Sequence, residues 1–211
     1  AVPDQVPGPG HTAPTYFSRC PGIEISTAEV AQHSPMTDMP SPPDPAVRKA
    51  ALREQALARR DALEIDDRLI WDEAITEGVL ALPAFDAAEG PVSAYWPMRS
   101  EADPRPVLEA LHERGLPLCL PAIVAKRMIF RRWAPYKPIV PGGFGTLVPD
   151  PAQPEVVPAI LIVPLAAFDR RGYRIGYGKG HYDAKLAEIG PVTSIGIAYG
   201  AQEIDTVPDE P

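Results

Sequence analysis

The spacing of apolar and polar positions changes several times along the chain, and each pattern predicts an element. "RMIFRRW" (127–133) alternates apolar and polar as a half-exposed strand does. "AILIVP" (159–164) is short and fully apolar, the pattern of a strand covered on both faces of a parallel sheet. "LPLCLPAIV" (116–124), "PVSAYWPM" (91–98, ending at Pro97) and "TSIGIAY" (193–199) read as further strands. Between them lie helical stretches. "AVRKAALREQALARRDAL" (46–63) is rich in Ala, Leu, Arg and Glu, with Asp44 placed to cap it and Pro45 at home in a first turn. "DRLIWDEAITEGVLAL" (67–82), "ADPRPVLEALHERG" (102–115, capped by Asp103 and stopped by Gly115) and "YDAKLAEIG" (182–190) follow. Residues 134–158 read as a Pro/Gly-rich connection. Strands alternating with helices predict an α/β layered domain with a mostly parallel sheet over residues 46–211.

Composition sets residues 1–45 apart. Ten of the chain's 28 prolines lie there, in stretches such as "VPGPGHTAP" and "SPMTDMPSPPDP", without apolar periodicity. This predicts an unfolded extension. The chain of 211 residues carries a net charge of −8, which argues against a nucleic-acid partner needing a broad basic surface. No run of apolar residues approaches a membrane span, and no charged-then-apolar leader opens the sequence, so neither a membrane partner nor a signal peptide is expected. Cys20 and Cys119 have no CxxC spacing, and His11, His33 and His112 have no metal spacing. A reducing, cytoplasmic setting and a monomer are the expectations.

One stretch differs from the rest. "FDRRGYRIGYGKGHYDAKL" (168–186) holds five basic residues, two acids and four glycines, Gly172, Gly176, Gly178 and Gly180, within nine positions. It follows a buried strand and precedes a helix, which is where open α/β sheets bind ligands. Glycines let backbone N–H groups approach an anion, and a helix N-terminus adds partial positive charge. Arg174 and Lys179 supply charge for phosphate oxygens. Generic motifs do not fit: Lys179 is followed by Gly180 rather than Ser or Thr, and the glycines give GxGxG rather than GxGxxG. The spacing alone allows either a structural turn or an anion site.

The stretch "LIVPLAAFDRRGYRIGYGKGHYD" (161–183) resembles the signature of the 5-formyltetrahydrofolate cyclo-ligase (methenyltetrahydrofolate synthetase) family. "KAALR" (49–53) is similar to that family's N-terminal K-x-x-LR, and "YWPMRSEADPRPVLEALHERGLPLCLPAIV" (95–124) to its central block. The resemblance implies a three-layer α/β fold shared with sugar-phosphate isomerases and CoA transferases. It also implies an ATP- and Mg²⁺-dependent enzyme converting 5-formyltetrahydrofolate to 5,10-methenyltetrahydrofolate. The formyl oxygen is phosphorylated, N10 of the folate attacks, and phosphate leaves.

The resemblance also distributes roles. Lys49 and Arg53, four apart on one helix face with Arg60 nearly on it, form by themselves a solvated basic stripe; the resemblance gives Lys49 and Arg53 to ATP. ATP would further meet Arg174, Gly176, Gly178, Lys179, Gly180, His181 and Tyr182, with Arg174 and Lys179 neutralising charge on the transferred phosphoryl group as the catalytic pair. The folate would meet Trp96, Glu101, Tyr177, Gly178, Lys179, Gly180 and His181. Asp183 would ligate the metal, and Asp169 would orient the loop. Three departures stand out. His181 occupies a place where the family has Tyr or Phe. Val148 precedes Pro149 where the family often carries Glu. The sequence stops at "VPDEP" (207–211), where the family continues with His-Asp, so a second acidic metal ligand is expected to be missing.

Overall fold

The computed structural model of the chain describes residues 15–17 and 44–208. In chain order the elements are β1 (Thr15–Phe17), α1 (Pro45–Asp61), α2 (Ile65–Leu80), β2 (Val92–Ser93), α3 (Arg105–Glu113), β3 (Leu118–Val124) and β4 (Arg127–Trp133). Then come β5 (Ile139–Pro141), β6 (Leu147–Pro149), β7 (Ile160–Pro164), β8 (Ala167–Phe168), β9 (Arg174–Ile175), α4 (His181–Ile189) and β10 (Thr193–Ile197).

Six strands form the central sheet in the order β1-β10-β7-β2-β3-β4, and only the β3–β4 pair is antiparallel. The mostly parallel sheet predicted from the alternation of elements is therefore present. Its strands show the period of two that a doubly covered sheet demands. Leu118, Leu120, Ile160 and Ile162 face a cluster built with Ile75 and Val79 of α2 and Leu108 and Leu111 of α3. Their neighbours Cys119, Leu161 and Val163 face the other side, with Met128 and Phe130, under Leu186 and Ile189 of α4. Helices on both faces make three layers. A smaller apolar group, Ala56 with Ala167, Ile175 and Val207, seats α1 against the β8–β9 hairpin.

Helix boundaries follow the local chemistry. The Asp44 carboxylate accepts from the Ala46 N–H at 2.8 Å and caps α1. Asp103 plays the expected capping part for α3 by accepting from Arg105 N at 2.9 Å, although the helix proper begins two residues later. Other expectations shift. The strand expected over 91–98 pairs only at Val92–Ser93, and the chain then leaves the sheet as an irregular stretch that carries Trp96 and Glu101. The 134–158 connection contains a β5–β6 hairpin. Of the extension expected over residues 1–45, the described parts are Thr15–Phe17, which adds a parallel edge strand to β10, and Asp44–Pro45, which begin α1; the remainder lies outside the described residues.

Candidate functional site

The glycine-rich stretch leaves β7 at the sheet centre, and the Glu101 stretch leaves its neighbour β2 in the same direction. The two therefore emerge side by side at the carboxyl ends of adjacent parallel strands.

The base of the glycine loop is the β8–β9 hairpin, closed by the turn Asp169–Gly172. Asp169 is 0% exposed. Its carboxylate accepts from the N–H groups of Arg171 (3.0 Å), Tyr173 (3.2 Å) and Val207 (2.8 Å), and from the Arg171 guanidinium at 2.8 and 3.0 Å. Burial works against its ionisation, but these donors outweigh it and hold the carboxyl below the ordinary carboxylate range. Asp169 thus orients the loop, as its place in the sequence suggests.

The crown, Gly176–Gly180, is held from outside. Arg53 of α1 donates from Nε to the Gly176 carbonyl at 2.7 Å. Gly178 has φ +84°, a left-handed angle that favours glycine, and it lies in contact range of the Arg53 guanidinium. Gly180, at φ +65°, turns the chain into α4. Lys49 lies one turn before Arg53 on α1, and Lys179 is exposed on the crown.

Arg174 donates from Nη2 to Asp183 Oδ1 at 2.5 Å; the arginine is mostly buried, while the carboxylate is 70% exposed in the first turn of α4. The expected metal ligand is thus paired with the expected phosphate-binding arginine. Among the described residues no group of three His, Cys, Asp or Glu side chains is placed to hold an ion. The donor set still suits magnesium, which takes one or two carboxylates and fills its remaining positions with phosphate oxygens and water. His181 is half-buried, and Tyr182 packs its ring against the cluster of Cys119, Phe130 and Leu161. Val148 is buried in β6, so the place where Glu was expected faces the interior.

On the other side, Glu101 closes a tight turn. Its Oε2 accepts from Met98 N at 2.8 Å, and its N–H donates to Met98 O at 3.2 Å. Arg99 within the turn has φ +55°, a left-handed conformation that is unfavourable for a residue with a Cβ. Trp96 is half-buried, edge-on to Trp133 at 6.0 Å and under the Arg105 guanidinium at 5.5 Å. The Tyr177 and Tyr182 hydroxyls are pushed well up, first by burial and then by the Glu101 charge beside them. These two tyrosines therefore stay neutral around that carboxylate.

Between loop and turn lies a narrow gap, too small to hold a water molecule, lined by Arg60, Tyr95, Glu101, Tyr177 and Gln202 among others. Arg60 is 3% exposed. It donates to the Tyr177 hydroxyl at 2.6 Å, to Ser100 Oγ at 2.9 Å and to Asp61 Oδ1 at 3.1 Å, while Ser100 donates to the same Asp61 oxygen. The structure thus brings together Arg53, Arg174, Asp183, Tyr182, Tyr177, Glu101 and the glycine crown. It adds Arg60, Asp61 and Ser100, which sequence reasoning did not assign. The available signal was position: Arg60 is two turns beyond Arg53 on the same face of α1.

Comparisons with known proteins identify the family and the fold. A family profile described as the 5-formyltetrahydrofolate cyclo-ligase family matches residues 45–211. A 5-formyltetrahydrofolate cyclo-ligase of Haemophilus influenzae is 26% identical over 148 residues, covering 66% of this chain and 79% of that protein. One from Mycolicibacterium smegmatis is 31% identical over 130 residues, covering 57% and 67%. The solution structure of the Aquifex aeolicus 5,10-methenyltetrahydrofolate synthetase superposes with a TM-score of 0.68 at 28% identity, covering 77% of this chain and 84% of that one. With the profile spanning most of the chain, and the fold and glycine loop as described, the chain belongs to the 5-formyltetrahydrofolate cyclo-ligase family.

Proposed function

We propose that this chain carries out ATP- and Mg²⁺-dependent ring closure of 5-formyltetrahydrofolate to 5,10-methenyltetrahydrofolate. The observation that carries the reading is the juxtaposition of two unlike surfaces at the ends of β7 and β2. One is a glycine crown with Arg53, Arg174 and Lys179, suited to a polyphosphate. The other is a carboxylate turn with neighbouring aromatics, suited to a flat, N–H-rich heterocycle.

Transfer of the ATP γ-phosphoryl group to the formyl oxygen turns a poor leaving group into a good one. N10 then attacks the activated carbon and gives up its proton, the C–O bond breaks, and phosphate departs carrying the bonding electron pair. Neither step needs a covalent bond to the protein, so the protein's part is positioning and charge. Lys49 and Arg53 hold the nucleotide from α1, with His181, Tyr182 and the amides of Gly176, Gly178 and Gly180 around its phosphates. Arg174 and Lys179 face the charge that develops on the transferred group. Glu101 accepts from pterin N–H groups, and Trp96 and Tyr177 line the ring, with the crown closing over it. Magnesium, when bound, would neutralise phosphate oxygens, and Asp183 is the side chain we assign to hold it. To bind phosphate and metal, Arg174 and Asp183 must release one another.

The test is a turnover assay that follows the absorbance of the methenyl product, beside calorimetric titrations with Mg-ATP and with 5-formyltetrahydrofolate. Product formation that requires both ATP and magnesium is expected. Binding of both ligands with no product would leave a folate- and nucleotide-binding protein without turnover. Binding of neither would remove the whole reading.

A further inference from the structure

The loop is tied to α1 at two successive residues by two arginines seven positions apart. Arg53 takes the Gly176 carbonyl, and Arg60 takes the Tyr177 hydroxyl. The second tie differs in kind. Arg60 is fully enclosed, and its remaining donors go to Ser100, next to Glu101 in the turn that leaves β2, and to Asp61 beside it at the end of α1. One guanidinium therefore joins three segments distant in sequence: the end of α1, the Glu101 turn and the loop crown. Burial opposes its charge, and Tyr177 and Asp61 more than offset that. Tyr177 is the residue so held: it is 38% exposed beside the gap, while its hydroxyl is bound by the buried arginine.

We propose that Arg60 is a positioning residue that clamps Tyr177 of the loop to the Glu101 turn and thereby sets the affinity for the folate, not for the nucleotide. This rests on the functional reading above, since it places folate between those two segments. The physical basis is pre-organisation. A loop already fixed at its working distance does not spend binding energy on being ordered. The selectivity follows from which tie is lost, because Arg53 still anchors the crown on the nucleotide side when Arg60 is removed. Lysine at position 60 keeps the charge but cannot reach Tyr177, Ser100 and Asp61 at once, since a planar fork is replaced by a single ammonium.

A double-mutant cycle on the full chain tests the clamp: Arg60→Met, Tyr177→Phe and the pair, with Arg60→Lys as a partial rescue. Two readouts are taken. The first is the rate of tryptic cleavage after Lys179, located by mass spectrometry, which needs no turnover. The second is KM for 5-formyltetrahydrofolate against KM for ATP. Each single change should speed the cleavage and raise the folate KM by about tenfold, the size of one charge-assisted hydrogen bond. The pair should be little worse than either alone, Arg60→Lys should fall between, and the ATP KM should stay within about twofold. Additive effects would mean that Tyr177 meets the folate independently of Arg60, and would overturn the clamp. Equal rises in both KM values would reduce Arg60 to general scaffolding and overturn it too. If Arg60→Met does not fold, the exposed Tyr177→Phe decides with Arg60→Lys, and unchanged cleavage in both rejects the proposal. If the parent chain shows no turnover, the functional reading fails, while cleavage still tests the clamp.

Discussion

The base and crown of the glycine loop are neighbours in sequence but are held by opposite means. The base is satisfied from within: Asp169, fully buried, gathers its own hairpin and the Val207 N–H through a single carboxylate. The crown has glycines where the base has an organising acid, and its anchors are arginines that reach it from α1. A carboxylate inside the crown would repel phosphate. A crown built of side-chain ties to itself would have no backbone left to offer. On the proposed reading, stability is concentrated at one end of the loop and ligand chemistry at the other, and substitutions at the two ends should separate along that line.

The largest effect should come from breaking the base. Asp169→Asn removes the charge while leaving the buried donors, and should cost about 3 kcal/mol of stability. For a chain of this size that is a fall in melting temperature of roughly ten degrees by calorimetry. The pH dependence has a definite sign. Asp169 keeps its charge to lower pH in the folded chain than in the unfolded one. Its stabilisation is full above the ordinary carboxylate range and fades as pH falls through that range toward the lower, folded value. The Asn variant should lose less stability on acidification than the parent, and parallel acid curves would show that Asp169 is not the group responsible.

Breaking the crown should act on ligand before fold. Gly178→Ala forces a side chain into a left-handed backbone beside Arg53, a strain of about 1–2 kcal/mol. Mg-ATP affinity measured by titration should drop about tenfold or more, with a much smaller change in melting temperature than Asp169→Asn produces. Arg53→Ala, which removes the tie to Gly176 without adding strain, should raise the ATP KM by about tenfold and the folate KM far less. A result with the two KM values equally raised would place Arg53 in the scaffold. The smallest change belongs to the facing turn: Glu101→Gln keeps size and most hydrogen bonding but loses the charge, so the folate KM should rise about threefold with ATP unaffected. Should ATP binding collapse instead, Glu101 belongs with the nucleotide.

The same contrast explains what the sequence made legible. The core strands could be read because burial on two faces leaves an unmistakable apolar run, as in Ile160–Pro164. The helices could be read from composition and caps, with Asp44 accepting where a cap should. The glycine loop was legible because its glycines and basic residues stand out locally. What could not be read depends on contacts between distant segments. Arg60 carries no local mark of burial, because its partners lie at positions 100 and 177. The pairing of Arg174 with Asp183 is hidden for a related reason: nine residues apart, they meet only because Gly178 and Gly180 fold the crown back onto α4. The early end of β2 leaves no mark in the sequence, because Val92–Tyr95 stays buried whether or not it pairs.

The distance along the chain between the crown and its anchors bears on when the site comes into being. Arg53 meets Gly176 across 123 residues, and Arg60 meets Tyr177 across 117. Closing a loop of that length costs about 4 kcal/mol of chain entropy before any contact repays it, and contacts so remote in sequence form slowly. During synthesis α1 emerges early, with its basic face uncovered until residue 177 follows. On the proposed reading, ligand-binding competence is thus a late event in the life of each molecule, and a nascent or clipped chain that stops short of the loop has the helix assigned to the nucleotide and nothing for it to close against.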